Sequence, residues 1–397
     1  MLPPMPTDAP GATLLDAASL LCEVADELVL RSARDTHVAV LDRVHGVQRA
    51  ITRAPAGPVE RAHRGIAGAV YGGVGLGLRA ASRGLDRAAA TGVGPRLDDR
   101  PEGRFVSAAI NGLIGDRLLR ERPQMAIPMA IRRDGSDVVP DAAGLAQAFP
   151  EATGRLVVFL HGLCESETFW ESGRDERGTT YPEELAALGW TPVLLRANTG
   201  LPLRENGVAL TALLRETVAA WPVPVTRIAL IGHSMGGLII RAASAVAAEP
   251  ASGHTPWTDL VSDVVTLGTP HLGAPLATGV GHGSRGLGVL PETAAFGRIL
   301  EWRSAGVRDL VHGLAEDVAP LPHARYRLVA ATVTQRPRHP VGHLLGDLLV
   351  RPGSAAGRDR RGRTLFPDGD VLEVGAAHHF SVLNHPRVAE ALRDWLA

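Results

Sequence analysis

A lone serine lies between glycines where one aliphatic run ends and another begins. The stretch RIALIGHSMGGLIIRAA spans residues 227–243, and its centre at residues 232–236 fits the pattern G-x-S-x-G. The first run predicts a strand buried on both faces, and the second predicts a buried helix. A strand-to-helix turn with small residues two positions before and after the serine exposes that side chain at the strand's carboxyl end. The segment therefore predicts an α/β sheet with Ser234 as a nucleophile, the plain alternative being a glycine-rich turn with an incidental N-cap serine.

Beyond about residue 100 the chain alternates between short apolar runs and helical segments. This alternation is expected of a mostly parallel sheet with crossover helices. The predicted strands are residues 125–132, 155–160, 192–196, 227–231, 263–267, 326–332 and 371–374. The predicted helices are residues 182–188, 207–220, 235–248 and 387–396. We therefore expect an α/β domain over residues 101–397.

The first hundred residues have a different pattern, with apolar side chains at helical spacing. Residues 12–53 predict one long helix or two in tandem, and residues 59–90 predict another after a Pro- and Gly-containing break. Small residues four apart, at 68 and 72 and at 73 and 77, predict close packing of that helix against a neighbour. We expect residues 1–100 to form an N-terminal helical region. Covering the cleft, dimerising and touching a membrane surface all stay open as its role.

Composition removes several classes of function. The 397 residues contain no lysine, which excludes a Walker A loop, Schiff-base chemistry and a Ser-Lys dyad. A formal net charge of -1 gives no reason to expect nucleic acid as a partner. Cys22 and Cys164 lie far apart and outside any metal-ligand spacing, so we expect no metal and no cofactor. The N-terminus lacks the pattern of a secretory signal and no run suffices for a spanning helix, which predicts a cytoplasmic protein.

A serine nucleophile needs a base, and the base needs an acid partner that holds its tautomer. In a sheet of this kind the base should follow the last strand and precede the last helix. That position leaves His378, His379 and, less well, His385. We predict His379 as the base, with His378 as the alternative.

The acid should follow the strand at residues 326–332 and precede the base. Asp347, which heads a short apolar step, fits that position. Asp263 and Asp370 each open a strand and should face the opposite edge of the sheet, and Asp317 precedes its strand. We therefore predict Asp347 as the acid.

Two backbone N–H groups should stabilise the negative charge that develops on a substrate carbonyl oxygen. Met235 supplies one as the residue after the nucleophile, and Leu163 supplies the other from the loop LHGLCES after the strand at 155–160. His161 is expected to be structural. Phe169 and Trp170, just past this loop, are candidate walls of the substrate site, with core packing as the alternative.

Between residues 267 and 326 the chain lacks a clear strand. We expect a helical cap insertion at about residues 274–322, with Phe296 and Leu300 among the apolar side chains available to a substrate.

These motifs resemble the α/β-hydrolase superfamily, and more narrowly bacterial esterases and lipases similar to GPI inositol-deacylases. The resemblance covers about residues 103–397 and is carried by VVFLHGL, RANTGLPLRENG, GHSMGGLIIRA, TLGTPHLGAPLA and AAHHFSVLNHP. It implies an α/β-hydrolase fold and a serine hydrolase acting on a carboxylic ester. The Gly-Thr-Pro-His turn at residues 268–271 implies a fatty-acyl or other lipid ester. An arginine-rich insertion from Arg351 and the region before residue 100 depart from the family pattern.

Three functions remain open from the sequence. A triad of Ser234, Asp347 and His379 would hydrolyse an acyl-enzyme with water, or pass the acyl group to another acceptor. A non-catalytic binding protein of the same fold is the third, and the intact set of Ser, His and Asp disfavours it. The oligomeric state is not predicted.

Overall fold

The structure, a computed structural model, describes residues 11–31, 33–35, 37–38, 41, 58–246, 256–274, 304–314, 318–337, 339–359 and 361–397. The chain divides into two compact units, one of residues 1–103 with 279–303 and one of residues 104–278 with 304–397. Most of the expected cap, including Phe296 and Leu300, lies outside the described residues, as does Asp317.

The larger unit is built on one eight-stranded sheet. Its strands are β1 (Ala130–Arg133), β2 (Ser136–Val138), β3 (Arg155–Leu160), β4 (Thr191–Arg196), β5 (Arg227–His233), β6 (Val261–Leu267), β7 (Arg325–Ala331) and β8 (Asp370–Val374). Their order is β2-β1-β4-β3-β5-β6-β7-β8. β1 is antiparallel to both of its neighbours, whereas every other pair is parallel. The mostly parallel sheet confirms the predicted fold class.

The side of the sheet formed by β1 and the edge strand β2 differs from the prediction. The expected strand at residues 125–132 is wrong in its first half, since only Ala130–Arg133 pairs in the sheet. Asn111 explains this, because its side chain donates to the Met125 carbonyl at 2.9 Å and accepts from the Ile127 N–H at 3.0 Å. The backbone groups that a strand would pair are thus satisfied by a side chain. The polar edge strand β2 was not predicted.

Helices cover both faces of this sheet. In chain order they are α3 (Pro101–Glu121), α4 (Ala142–Ala148), α5 (Arg174–Arg177), α6 (Tyr181–Ala187), α7 (Leu203–Ala220), α8 (Met235–Ala245), α9 (Ala305–His312), α10 (Pro340–Leu345), α11 (Pro352–Ala355) and α12 (Pro386–Leu396). Helices α1 (Leu14–Val24) and α2 (Pro58–Ala89) belong to the smaller unit. The first three residues of α3 also lie in that unit.

The core has two layers because alternate strand residues point to opposite faces. On one face Val158 and Leu230 pack with Leu210 and Leu238 of α7 and α8. On the other, side chains of β3 and β5 pack with α6 and α12. Burial on both faces explains the continuous apolar runs LVVFL and RIALI.

The smaller unit contains α1 (Leu14–Val24), a π-helical turn at Ala25–Leu30, and α2 (Pro58–Ala89). A capping box of Thr13 and Asp16 begins α1. The Ser19 and Ser82 hydroxyls lie 2.9 Å apart between the two helices, and Arg79 donates to Asp26 at 2.7 Å. These helices confirm an N-terminal helical region.

The predicted small-residue steps of α2 do not mark its contacts with described residues. An added Cβ at residues 68, 72, 73 and 77 would meet no described atom within 4 Å. Gly75 instead lies against Asp26 and Leu30. Across the described ranges, no helix combines the length and apolar character that crossing a membrane requires.

Candidate active site

Ser234 lies in a strained turn between β5 and α8. Its φ of 49° and ψ of -120° fall in a region that few residues with a side chain adopt. An added Cβ at Gly236 would collide with the Leu160 carbonyl oxygen, so only glycine lets α8 begin this close to β3. The turn has the geometry expected of a nucleophile elbow. Ser234 is 6% exposed, and its hydroxyl makes no hydrogen bond to any described residue.

Asp347 and His379 are joined by a short hydrogen bond. His379 follows β8 and donates from Nδ1 to Asp347 Oδ2 at 2.8 Å. The His379 backbone N–H also donates to the Asp347 carbonyl at 2.9 Å. In the tautomer whose Nδ1–H donates to the carboxylate, Nε2 carries the lone pair of the imidazole. Both side chains are buried, whereas the neighbouring His378 is exposed.

The structure brings Ser234 and His379 to the same edge of the sheet. The Ser234 N–H donates to the Leu267 carbonyl at 2.8 Å, at the end of β6. Gly268, the next residue, has a φ of 59°, and a Cβ there would lie 3.3 Å from both Nδ1 and Cε1 of His379. The bare backbone of this glycine therefore lets the imidazole lie against the strand end beside the serine.

The other carboxylates considered from the sequence lie elsewhere. Asp263 is the third residue of β6, is fully buried and pairs with Arg227 at 2.9 Å and Arg325 at 3.3 Å. Asp370 opens β8 and pairs with Arg327. In a parallel sheet the amino ends of strands share the edge opposite to Ser234.

The loop after β3 approaches Ser234 closely. A Cβ at Gly162 would lie 2.9 Å from the Ser234 Cβ. The Gly162 N–H donates to Glu165 Oε2 at 2.6 Å, and the Cys164 N–H donates to the Thr199 hydroxyl at 3.1 Å. Between them, the Leu163 N–H has no acceptor among the described residues. Met235 is the first residue of α8, so its N–H has no acceptor within the helix.

Two other side chains of this loop are not reactive groups. His161 Nε2 accepts from the Ala197 N–H at 3.1 Å and Nδ1 donates to the Gly162 carbonyl at 2.9 Å. Burial lowers the pKa of His161, so the ring is neutral and bonded at both nitrogens. Burial raises the pKa of the Cys164 thiol to about 11, which keeps it protonated and unreactive.

The predicted aromatic wall divides into two roles. Trp170 is 1% exposed and packs edge-on against Phe159 at 4.9 Å, so its assignment to the substrate site is corrected to the core. Phe169 is half-buried and lies 6.2 Å from Phe105 and 6.3 Å from Phe380, measured between ring centroids. Phe380 is 43% exposed and follows His379 directly.

Sequence reasoning missed two features of this region. Phe105 was not singled out, because a single aromatic residue in a helix carries no signal of its distant partners. Glu165 bonds to Gly162 and to Nδ1 of His233 at 2.9 Å, both at the base of the serine turn. Its only signal was a carboxylate three residues after the glycine of the loop. Among the described residues no cluster of three or more His, Cys, Asp or Glu could hold a metal ion.

The sheet order and the serine turn after β5 define the fold class, which is that of the α/β hydrolases. Residues 150–283 match a family described as "Putative serine esterase (DUF676)". The matched segment contains β3 to β6, the loop at Leu163 and the turn at Ser234. The chain thus has the fold of an α/β hydrolase and contains a segment similar to a family of putative serine esterases, which supports an ester-hydrolase activity.

Several solved structures are similar to this chain at low identity. The mature form of the Bacillus licheniformis lipase BlEst2 is 21% identical, covering 61% of this chain and 91% of that one, with a TM-score of 0.42. The esterase RhEst1 from Rhodococcus sp. ECU1013 is 17% identical, covering 67% and 98%, with a TM-score of 0.36. The Pyrococcus furiosus esterase PF2001 is 17% identical, covering 62% and 83%, with a TM-score of 0.35.

Proposed function

We propose that Ser234, His379 and Asp347 form a triad that hydrolyses carboxylic esters with an apolar acyl group. The observation that carries the proposal is the Asp347 bond to Nδ1 of His379, which leaves Nε2 free to accept a proton at the sheet edge where Ser234 stands. A serine hydroxyl is a weak nucleophile until such a base removes its proton.

The reaction proceeds in two halves. Nε2 of His379 accepts the Ser234 proton while Oγ attacks the ester carbonyl, and Leu163 and Met235 donate their N–H groups to the oxyanion. Collapse breaks the ester bond, and the leaving alcohol takes the proton from Nε2. Water then attacks the acyl-enzyme with His379 again as base, and the carboxylic acid leaves with Ser234 restored.

An apolar acyl group is supported by the aromatic side chains beside the base. Phe380 lies 5.4 Å from the His379 ring, and Phe169 and Phe105 continue from it. Phe105 is 51% exposed and Phe380 is 43% exposed. Exposed large aromatic rings next to a reactive centre are a common feature of sites that bind apolar ligands. The three rings therefore provide a surface for an acyl chain.

The test is labelling by a fluorophosphonate, which reacts covalently with an activated serine. We expect the wild-type chain to be labelled and Ser234→Ala to lose labelling completely, because no other hydroxyl occupies the turn. Ser244→Ala is the matched control, since Ser244 lies in α8, the helix that follows Ser234, and its hydroxyl donates to the Ile240 carbonyl at 3.0 Å. Labelling that survives in Ser234→Ala, or a wild-type chain that neither labels nor hydrolyses p-nitrophenyl butyrate, would refute the proposal.

A further inference from the structure

A buried carboxylate and a buried imidazole beside Ser234 have no part in the steps above. Glu165 is 3% exposed and lies in the loop after β3. His233 is fully buried and directly precedes the nucleophile. Burying two ionisable groups beside a reactive centre costs desolvation free energy, and a buried ion pair is weak evidence for stability. Stability alone therefore does not explain why Glu165 and His233 are buried here, and their contacts indicate their role.

The pair bridges the oxyanion loop and the segment of the base. Glu165 Oε2 accepts from the Gly162 N–H at 2.6 Å and from Nδ1 of His233 at 2.9 Å. On the other side of the ring, Nε2 of His233 faces the His379 carbonyl oxygen at 3.2 Å. These contacts form a continuous hydrogen-bond path from the Gly162 N–H, through Glu165 and His233, to the carbonyl of His379.

The path requires a doubly protonated ring. Both nitrogens of His233 face acceptors, a carboxylate and a carbonyl, whereas a neutral imidazole has one N–H only. Burial alone lowers the pKa of His233, but the adjacent Glu165 carboxylate and, more weakly, Asp347 raise it above its ordinary value. Burial correspondingly favours the neutral form of Glu165, but the charge and hydrogen bond of His233 and the Gly162 N–H hold the pKa of that carboxyl below its usual range.

We propose that Glu165 and His233 are positioning residues for the reaction proposed above, acting as a carboxylate-imidazolium pair. Glu165 fixes the position of the loop that presents the Leu163 N–H, and His233 fixes the position of the His379 backbone. The inference rests on the proposed function, because it assigns the pair to the placement of groups that act in it. Small displacements of such groups reduce rates strongly, since reacting atoms must be held in near-attack geometry.

Glu165→Gln tests the pair with little change of shape. The amide oxygen can still accept from the Gly162 N–H. Without the negative charge of Glu165, however, the protonated form of His233 is no longer stabilised, and a neutral ring can donate only one of the two hydrogen bonds. We expect kcat for p-nitrophenyl butyrate to fall about 10- to 100-fold, with KM within about twofold of wild type. Glu167→Gln is the matched control, because Glu167 is equally buried two residues along and pairs with Arg132 at 3.0 Å. Its kcat should stay at the wild-type value.

A double-mutant cycle distinguishes a shared role from two separate ones. His233→Asn keeps a donor toward Glu165 but is too short to reach the His379 carbonyl. If the two residues act as one path, the double variant Glu165→Gln/His233→Asn should be as active as the less active of the two single variants. Losses that multiply would overturn the shared path, as would wild-type kcat in Glu165→Gln.

The charge of His233 is measured in the wild-type protein by nitrogen NMR of ¹⁵N-histidine-labelled enzyme, with its signals assigned by their absence in His233→Asn. We expect both ring nitrogens to be protonated at pH 7, and Glu165→Gln to convert the ring to the neutral form. A neutral His233 in wild type overturns the inference whether or not the variants fold. Failure of the proposed function is recognised separately, because it removes labelling and turnover from the wild type itself.

Discussion

At the scale of single residues, the two oxygens of Asp347 have separate tasks. Oδ2 accepts from His379, while Oδ1 accepts from the Leu349 and Val350 N–H groups at 2.9 and 2.7 Å. Leu348 adopts a φ of 82°, a strained conformation that turns both N–H groups back to the carboxylate. The carboxylate is therefore held by its own loop before it meets the imidazole.

Asp347→Asn should remove catalysis and keep the fold. The amide can still accept the two backbone N–H bonds, but its NH₂ group would face Nδ1 and favour the wrong tautomer of His379. We expect kcat for p-nitrophenyl butyrate to fall about 10³- to 10⁴-fold with little change in the thermal midpoint. Asp263→Asn should do the opposite, lowering the free energy of unfolding by about 3 kcal/mol while kcat at low temperature persists. An active Asp347→Asn variant would contradict the assignment.

The direction of the strands determines which parts of the site can be predicted from the sequence. The sequence predicts Asp347 and His379 because both follow strands whose carboxyl ends share one edge, and in the structure the two side chains form a hydrogen bond. The contact of Glu165 with His233 spans 68 positions and depends on the register of β3 with β5, where Leu160 pairs with Gly232. Local pattern does not encode register between parallel strands, so this pair could not be predicted.

At the scale of elements, the meeting of β3, β5 and α8 determines where Ser234 stands. Helix α8 begins one residue after the serine, and Gly236 brings it against the end of β3. The strands of this inner sheet were predicted well because their runs are apolar and continuous. The sequence does not predict the edge strand β2, because it is three residues long and mostly exposed, and such a strand has no alternating apolar pattern.

Gly236→Ala should disturb this junction. The added methyl would collide with the Leu160 carbonyl, forcing α8 away from β3, and we expect a loss of about 2–3 kcal/mol in the free energy of unfolding. Activity should fall as well, because the Ser234 turn would move away from the loop at Leu163.

Gly84→Ala is the control, since Gly84 is an exposed helical glycine of α2 with no described neighbour within 4 Å. Its free energy of unfolding should rise by about 0.5–1 kcal/mol. Urea unfolding of both variants measures these changes, and equal stability of the two would show that the junction tolerates a side chain.

At the scale of the whole molecule, we propose that residues 101–397 are the catalytic domain and residues 1–100 an accessory region. The unit of residues 104–278 and 304–397 contains the whole sheet, both layers of its core and every proposed catalytic group. The change in hydrophobic pattern near residue 100 predicts two regions, but it carries no information on what the first one does.

Removing residues 1–100 separates the two roles. We expect the shortened chain to keep hydrolysing p-nitrophenyl acetate, because the sheet retains its own core. A series of longer acyl esters, compared with the full chain, then shows whether the N-terminal region affects chain-length preference. A shortened chain that is folded by circular dichroism but inactive on the acetate would contradict the proposed division.

The central claim is that Ser234, His379 and Asp347 act together, with Leu163 and Met235 holding the oxyanion. A crystal structure of the full chain after reaction with a fluorophosphonate measures this most directly. The account predicts phosphorus bonded to Ser234 Oγ, a phosphonyl oxygen about 2.7–3.1 Å from both N–H groups, and Nε2 of His379 within hydrogen-bond distance of Oγ. An adduct on another residue, or a His379 ring turned away from Ser234 with His378 in its place, would contradict it.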